Sequence, residues 1–290
     1  SGSIKGASVM LKSTEGNIVN QTLSKRLEIE HNVGTEHYTI IDKTAGIEAG
    51  RGGMKLDAAK NIENIGADLK SKGKVILKAG EDVTVKTLKD EKAYDYTFSN
   101  GYAKGESVVH VQSNIQSDRL LDIQAGANAN LEAVNIQAEN ARIHAENKVN
   151  LTSVVDSSYR ESHFEKDDLL SNSAVTDASM HQSVKATTIG TGIVQVRGEE
   201  GVVLESARIT ASQAASITSG KGNVDFTAKS YTNASYHEES DSMLGGLISS
   251  RSVDEMSETL LADSSTFAES QIMVAGKNVN LVATDLTTAN

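Results

Sequence analysis

The sequence predicts an all-β solenoid, a parallel β-helix, and three observations indicate this. The 290 residues include no Pro, Cys or Trp, and a backbone committed to sheet ladders has little place for proline, which lacks an amide donor. Apolar residues are spaced by two along many short segments, the period of a strand with one buried face. Related positions recur after 20 to 22 residues. One such unit cannot bury its inward side alone, so neighbouring units must stack.

Short alternating segments supply the predicted coil strands. Several follow a polar corner such as Ala79-Gly80 or Ala275-Gly276, where glycine gives the backbone freedom that a tight turn needs. Three strands and their corners make a coil of about 20 residues. The predicted inward positions are Met54-Leu56-Ala58, Val75-Leu77-Ala79, Val83-Val85, Ala129-Leu131-Ala133, Val149-Leu151, Val202-Leu204-Ser206, Val224-Phe226-Ala228 and Val279-Leu281-Ala283.

Four excursions interrupt the coils, at about 20–46, 87–119, 153–192 and 229–271. Each is longer than the roughly 12–15 residues of an ordinary loop, which is typical of functional insertions. The alternation over 94–98, followed by an Asn-Gly turn, predicts a β-hairpin for at least the second excursion. We therefore expect a single β-helix segment over 1–290 with protruding β-hairpins.

Composition excludes several classes of function. The chain has 39 acidic against 28 basic residues, a net charge of -11, which disfavours nucleic acid as a partner because phosphates need a basic face. Without Cys it has no disulfide framework and no thiolate metal site. No apolar run approaches the roughly 20 residues that span a bilayer.

Catalytic and metal sites are the alternatives to a purely structural module. Some β-helices are polysaccharide lyases or hydrolases. Their sites need acidic residues converging with Lys or Arg on one wall of consecutive coils, or a carboxylate pair at catalytic separation. Here the coil carboxylates are scattered between apolar positions, which favours solvated outer-face residues. His31 and His37, close to Glu28, Glu30 and Glu36, form a candidate metal site, and solvated histidines are the favoured alternative. We predict no metal and no cofactor. The coil carboxylates are Asp57, Glu63, Asp82, Glu132, Glu139, Glu146, Glu205 and Asp225.

Candidate contact residues lie in the excursions. The stretch 243–248 is the most apolar feature outside the coils. It is either a hairpin tip that inserts into or docks on a target membrane or receptor, or a strand packed against the coil wall, or a mobile loop. The aromatic residues either supply amphipathic contact area or pair across hairpin strands. The predicted partner or membrane contacts are Tyr94, Tyr96, Phe98, Tyr159, Phe164, Tyr231, Tyr236, Met243, Leu244, Leu247 and Ile248.

Two motifs resemble a known family. The coil motif of 79–85 and 275–283, together with interruptions such as Ser230-Tyr231 through Tyr236-His237-Glu238-Glu239 to Leu244-Gly245-Gly246-Leu247, is similar to the second type of filamentous haemagglutinin repeat. The resemblance covers about residues 40–290. It implies a right-handed parallel β-helix from a two-partner secretion exoprotein, at the surface of a Gram-negative bacterium or released from it. It also implies an interior segment of a longer protein.

The resemblance implies a non-catalytic module that acts in adhesion or in the delivery of a toxin by a contact-dependent growth inhibition effector. The expected partners are a target-cell surface or outer membrane, or a host receptor or glycan. An outer-membrane secretion partner is expected for the full-length protein. The alternative function is that of a β-helical polysaccharide lyase or hydrolase.

Overall fold

The computed structural model describes residues 1–289, and these form three sheets made from 29 strands. The predicted segment 1–290 includes Asn290, which lies outside the described residues. Two sheets are parallel and build the coils, whereas the third is antiparallel and holds the excursions. The predicted fold, an all-β parallel β-helix with protruding hairpins, is confirmed.

Three parallel walls surround the core. The strands that lie only in wall I are β1 (Ser3–Gly6), β6 (Gly46–Ala49), β9 (Asp68–Ser71), β26 (Ser264–Ala268) and β29 (Thr284–Thr288). The strands that lie only in wall II are β2 (Val9–Ser13), β7 (Met54–Ala58), β10 (Val75–Ala79) and β27 (Gln271–Ala275). Four long strands bend from wall I into wall II: β14 (Asn114–Ala125), β16 (Asn135–Ala145), β20 (Thr188–Gly198) and β22 (Arg208–Ser219). Wall III contains β3 (Ile18–Gln21), β8 (Ile62–Ile65), β11 (Val83–Lys86), β15 (Ala129–Glu132), β17 (Lys148–Thr152), β21 (Gly201–Glu205), β23 (Val224–Thr227) and β28 (Val279–Leu281).

Inward side chains stack in register from coil to coil. In wall III, Leu131 lies opposite Val85 on one side and Leu151 on the other, and all three are fully buried. Small and branched residues fit this narrow core, and Phe226 is its largest member. Each coil therefore gains its buried face from its neighbours. One complete ladder in wall II is Leu11, Leu56, Leu77, Ile123, Ile143, Val196, Ile217 and Val274.

The last coil departs from the predicted burial. Val279 and Leu281 are 41% and 53% exposed, although they continue the inward ladder through Val224 and Phe226. Within residues 1–289, β28 pairs on one side only, so these side chains have no coil above them.

The corner from wall III to wall I, the hairpin corner, alternates between two forms. In the second, fourth, sixth and eighth coils, one residue with a positive φ forms this corner. In that order, the residues are Gly66 (54°), Ala133 (49°), Ser206 (51°) and Ala283 (46°). The alternation of apolar residues predicts Ala133, Ser206 and Ala283 as third inward strand positions. That assignment is wrong, because these residues adopt the left-handed backbone of the corner.

In the first, third, fifth and seventh coils the same corner opens into a hairpin. Hairpin 1 has β4 (Ser24–His31) and β5 (Gly34–Ile41), and hairpin 2 has β12 (Leu88–Phe98) and β13 (Gly101–Val111). Hairpin 3 has β18 (Val154–Asp168) and β19 (Ser171–Lys185), and hairpin 4 has β24 (Lys229–Met243) and β25 (Ile248–Ala262). Each hairpin lies within its predicted excursion. Most of the residues that follow the hairpin in each excursion reach or form the next wall I strand.

A buried hydroxyl closes the base of each of the three later hairpins. Ser113, Thr187 and Ser264 follow hairpins 2, 3 and 4 and are fully buried. Their hydroxyls donate to the carbonyl oxygens of Lys86, Thr152 and Thr227 respectively, each at 2.8 Å. Those carbonyls belong to the residues that end wall III just before each hairpin. Leaving one unpaired in the core would cost about 1–3 kcal/mol.

The four hairpins pair side by side in one eight-stranded antiparallel sheet, the hairpin sheet. Strand β5 pairs with β12, β13 with β18, and β19 with β24. Parallel coils and antiparallel strands share a spacing of about 4.8 Å, so two coils and one two-stranded hairpin both span about 9.6 Å. A hairpin on every second coil therefore meets its neighbours without a gap.

Candidate functional site: the hairpin sheet

Strand alternation divides the predicted contact residues between two faces of the hairpin sheet. The register places Tyr94, Tyr96, Phe98, Phe164, Tyr231, Met243 and Ile248 on one side, the aromatic face. Tyr159 and Tyr236 lie on the opposite face. Leu244 and Leu247 lie in the turn of hairpin 4. The structure thus does not unite these residues on one surface, and their role in contacts stays a prediction.

The aromatic face carries a continuous strip of rings across hairpins 2 and 3. The ring centroids of Tyr94 and Tyr96 are 5.5 Å apart, those of Tyr96 and Phe98 are 6.3 Å apart, and those of Phe98 and Phe164 are 5.8 Å apart. The Tyr96 hydroxyl donates to Glu36 of hairpin 1 at 2.9 Å. Since rings at these separations attract one another, the strip links three hairpins and leaves Phe98 and Phe164 more than one-third exposed.

The opposite face carries a tyrosine–glutamate cluster at the junction of hairpins 2 and 3. Glu161 accepts hydrogen bonds from the hydroxyls of Tyr159 and Tyr102, the latter at 2.7 Å, and lies 3.2 Å from the Lys104 ammonium. The Tyr159 bond to Glu161 raises the pKa of Tyr159 to about 12, because ionised Tyr159 would lose this bond and face the carboxylate. The same bonds lower the pKa of Glu161.

Both alternatives for the aromatic residues are therefore visible in the geometry. Tyr96 and Tyr102 bond across hairpin boundaries, whereas Phe98, Phe164 and Tyr159 keep 37%, 39% and 36% of their surface exposed. Cross-strand pairing and availability for contact coexist on this sheet.

The far end of the sheet is an apolar tip, and the stretch 243–248 predicted from the sequence forms only part of it. The turn of hairpin 4 does not pack against the coil wall, which corrects that alternative. It lies beside the turn of hairpin 3, where the Leu244 amide donates to the Leu170 carbonyl at 3.0 Å. The apolar tip consists of Leu169 (99% exposed), Leu170 (63%), Met243 (50%), Leu244 (51%), Leu247 (84%) and Ile248 (59%).

The sequence alone does not single out Leu169 and Leu170 as contact residues. They form only a two-residue apolar run between Asp167-Asp168 and Ser171-Asn172, which is an ordinary surface pattern when taken alone. Their significance comes from the lateral pairing of β19 with β24, which sets Ser171 opposite Met243.

Hairpins 3 and 4 extend beyond the other two. Phe98 and Gly101, at the turn of hairpin 2, are level with Phe164 of hairpin 3. Strand β18 continues four more residues to Asp168, or about 14 Å at the rise of an antiparallel strand. The apolar tip is consequently the most distant part of the sheet from the coils.

The hairpin sheet is strongly acidic. Its four hairpins hold 10 Lys or Arg and 19 Asp or Glu, a net of -9 out of -11 for the chain. A groove of about 570 Å³ on the aromatic face concentrates this charge. It contains the row Asp177, His237 and Asp254, and the 2.7 Å bond of His237 to Asp177 raises the pKa of His237.

A buried ion cluster locks hairpins 2 and 3 together near their base. Asp156 of β18 accepts from the backbone amide of His110 at 2.7 Å and lies 2.9 Å from its Nδ1, while the Lys185 ammonium lies 2.7 Å from the other carboxylate oxygen. The side chains of His110 and Asp156 are only 7% and 14% exposed. Burial disfavours the charged carboxylate, but the bonds from Lys185 and His110 outweigh burial and lower the pKa of Asp156.

This cluster predicts acid sensitivity of the junction. A carboxyl whose folded pKa is depressed stabilises the fold fully above its unfolded pKa, here 3.8, and that contribution disappears as the pH falls through the lower, folded value. We expect Asp156→Asn to cost about 2 kcal/mol of unfolding free energy at pH 7, with the difference from wild type shrinking below about pH 4. Urea unfolding at several pH values measures this.

Asp167→Asn is the matched control for that prediction. Asp167 is an exposed residue of the same strand, so its substitution should leave the unfolding free energy within about 0.5 kcal/mol of wild type. A cost for Asp156→Asn that is the same at pH 7 and pH 3 would contradict the assigned role of its charge.

The geometry does not bring the two histidines of the candidate metal site together. His31 lies opposite Gly34 and His37 lies opposite Glu28, so strand alternation directs their side chains to opposite faces of hairpin 1. His31 instead contacts the ring of Tyr96 at a centroid distance of 5.8 Å. Among residues 1–289, no group of three or more His, Asp or Glu side chains is placed to hold a metal ion.

The eight coil carboxylates are exposed or half-buried, and several serve the stacking of coils. Asp82 accepts from the Asn128 amide groups at 2.8 and 3.0 Å, and Glu132 accepts from the Thr87 hydroxyl at 3.1 Å. Asp57 pairs with Lys55 and Glu205 with Lys229. Asp82, Glu132 and Glu205 thus join neighbouring coils from the outer face, whereas Asp57 pairs within its own strand.

Comparison with known proteins assigns the repeat type. Residues 94–167 match a family model described as hemagglutinin repeat, a stretch that runs from hairpin 2 through two coils into the first arm of hairpin 3. No curated protein and no solved structure matches the chain. Within residues 1–289 there is no helix long and apolar enough to cross a membrane.

The chain thus contains a filamentous haemagglutinin-type repeat segment, as its coil and interruption motifs predict. Repeats of this type are adhesin-like structural modules of secreted or cell-surface exoproteins.

Proposed function

We propose that the chain is a non-catalytic interaction module that contacts a target cell through its hairpin sheet, within an exoprotein of a Gram-negative bacterium. The coils act as a rigid rod, and the sheet holds the apolar tip away from it. The parent protein acts in adhesion or in delivery of a toxin by contact-dependent growth inhibition. It reaches the cell surface through an outer-membrane partner of a two-partner secretion system.

The apolar tip carries this proposal. Six apolar residues from two hairpins lie together, each at least half exposed. Their contact with water is unfavourable by about 25 cal/mol for each Å², and contiguous exposed apolar patches mark contact sites. Six residues are too few to span a bilayer, so the tip is suited to shallow insertion into an outer membrane. A surface receptor or glycan of the target cell, including a host cell, is the other class of partner.

A single-tryptophan experiment tests the proposal, because the natural chain has no Trp. Leu247→Trp places the fluorophore at the apolar tip, where Leu247 is 84% exposed. Leu261→Trp places it at the base of the same hairpin, where Leu261 is 60% exposed. On mixing with vesicles of phosphatidylcholine and lipopolysaccharide, we expect a blue-shifted emission for Leu247→Trp only, because only the tip leaves water.

Binding to whole target cells provides the second readout. Leu244→Asp with Leu247→Asp should weaken cell binding at least about tenfold, since burial of two leucines contributes about 3–6 kcal/mol. Ser249→Asp with Ser250→Asp adds the same charge just below the tip and should bind as wild type. Unchanged emission with vesicles, together with equal cell binding of both double variants, would refute the proposed role of the tip.

A further inference from the structure

A cluster of cations lies on the coils, remote from the acidic hairpin sheet. Arg51, Lys55, Lys74 and Arg119 line one groove of about 370 Å³ at the corner between walls I and II. Among residues 1–289, no carboxylate lines this groove. We call it the basic corner. Its cations come from the second, third and fourth coils. The hairpins leave from a different corner, between walls III and I.

Stacked glycine turns bring these coils into close contact. A Cβ placed on Gly73 would lie 2.6 Å from the Arg51 carbonyl oxygen, and one on Gly53 would lie 3.0 Å from that of Lys74. Arg119 comes from the neighbouring coil, at the irregularity between Ser117 and Leu120. Successive coils are about 4.8 Å apart, so the positive charges form a short column along the rod.

Three of these cations have no counter-charge. Arg51, Lys74 and Arg119 have no carboxylate within 4.0 Å and no side-chain hydrogen bond among the residues that the structure describes. Lys55 alone is paired, with Asp57 at 2.7 Å. Cations that converge on one groove repel one another. The chain has a net charge of -11, so this positively charged cluster is opposite in sign to the charge of the protein as a whole.

We propose that the basic corner binds phosphate groups. Two guanidinium groups offer planar pairs of donors that match the oxygens of a tetrahedral phosphate, and an ammonium group adds a point charge. Binding would relieve the repulsion among the cations. A column of charges from three coils suits two linked phosphates or closely spaced headgroup phosphates better than a single ion. This inference is independent of the apolar tip and of the proposed function.

The test compares two triple variants that lose the same charge. Arg51→Gln, Lys74→Gln and Arg119→Gln remove the unpaired cations of the basic corner. Lys25→Gln, Lys89→Gln and Lys148→Gln remove three exposed, unpaired lysines elsewhere. Binding of inorganic pyrophosphate at low ionic strength is measured by calorimetry, and all six positions are on the surface, so circular dichroism confirms that both variants fold.

We expect the basic-corner variant to bind pyrophosphate at least about tenfold more weakly than wild type, and the control variant to bind within about twofold of it. Vesicles of phosphatidylcholine with phosphatidic acid form the second arm. Binding to vesicles but not to pyrophosphate, lost in the basic-corner variant, assigns the phosphate to a lipid headgroup. Equal losses in both variants, or no wild-type binding in either arm, would overturn the proposal.

Discussion

Leu131→Asp should unfold the middle of the rod. Leu131 is fully buried between Val85 and Leu151 of the adjacent coils. An unpaired carboxylate at this position has no partner and no water, so we expect a loss of at least about 4 kcal/mol of unfolding free energy. Because each coil is stabilised by its neighbours, the damage should spread to the coils on either side. Chemical denaturation followed by far-UV circular dichroism measures the loss.

Asn130→Asp is the control, since it introduces the same charge one residue away on the outer side of the same strand. The Asn150 amide already donates to the Asn130 side-chain oxygen at 2.8 Å, and a carboxylate there preserves that bond. We expect a change within about 0.5 kcal/mol. Equal destabilisation by the two substitutions would mean that Leu131 does not point into a packed core.

Removing hairpin 3 should release hairpin 4. Deletion of 154–186 with Ser153→Gly recreates the single-residue corner seen at Gly66 and keeps Thr187, whose hydroxyl closes the base. Strand β24 then loses its ten paired positions with β19. An isolated two-stranded hairpin is marginally stable, so its amides should exchange with deuterium about tenfold to a hundredfold faster. Hydrogen exchange with mass spectrometry measures this.

Deletion of hairpin 4 is the matched control. Removing 229–263 with Ala228→Gly leaves hairpins 1 to 3 paired with one another, so their amides should remain protected apart from the newly exposed edge. In both deletions the coils should retain their strand signal, because the walls pair through their own ladders. Unchanged protection of hairpin 4 after removal of hairpin 3 would contradict lateral support.

The coils are predictable from the sequence because the patterns that define them lie within short stretches of the chain. Apolar alternation and the 20-residue recurrence identify inward residues such as Leu77 and Val149, both fully buried. The hairpin corner was not recognised because Ala133 and Ala283 adopt positive φ, a conformation that sequence patterns associate with glycine. An alanine two residues after a buried leucine fits the alternating pattern equally well as a third inward strand residue or as a corner residue.

The hairpin sheet was harder to predict because its pairing is between segments far apart in the chain. Alternation within 94–98 predicts a hairpin. The pairing of Gly101 with Phe164 depends on the distance along the rod between hairpins 2 and 3, which two stacked coils set. One signal was present: the excursions occur after every second coil, and two coils match the width of one hairpin. This match of widths predicts a continuous sheet of hairpins, in which the turns of hairpins 3 and 4 lie side by side and Leu170 contacts Leu244.

Engineered disulfides test the lateral pairing of hairpins most directly, since the natural chain has no Cys. Ser179 and Ser235 are direct partners between hairpins 3 and 4, and Ser107 and Ser158 are direct partners between hairpins 2 and 3. Ser→Cys at either pair should give a disulfide upon oxidation of the folded protein. Ser179→Cys with Ser257→Cys should not, because β25 lies two strands away, beyond the roughly 7 Å limit between bridged Cα atoms.

Mass spectrometry of the oxidised, folded variants therefore decides between two pictures of the excursions. A continuous hairpin sheet predicts cross-links at 179–235 and 107–158, and none at 179–257. Independent arms that project separately from the rod would give no cross-link at the first two pairs while the coils remained folded, and that result would contradict the continuous hairpin sheet.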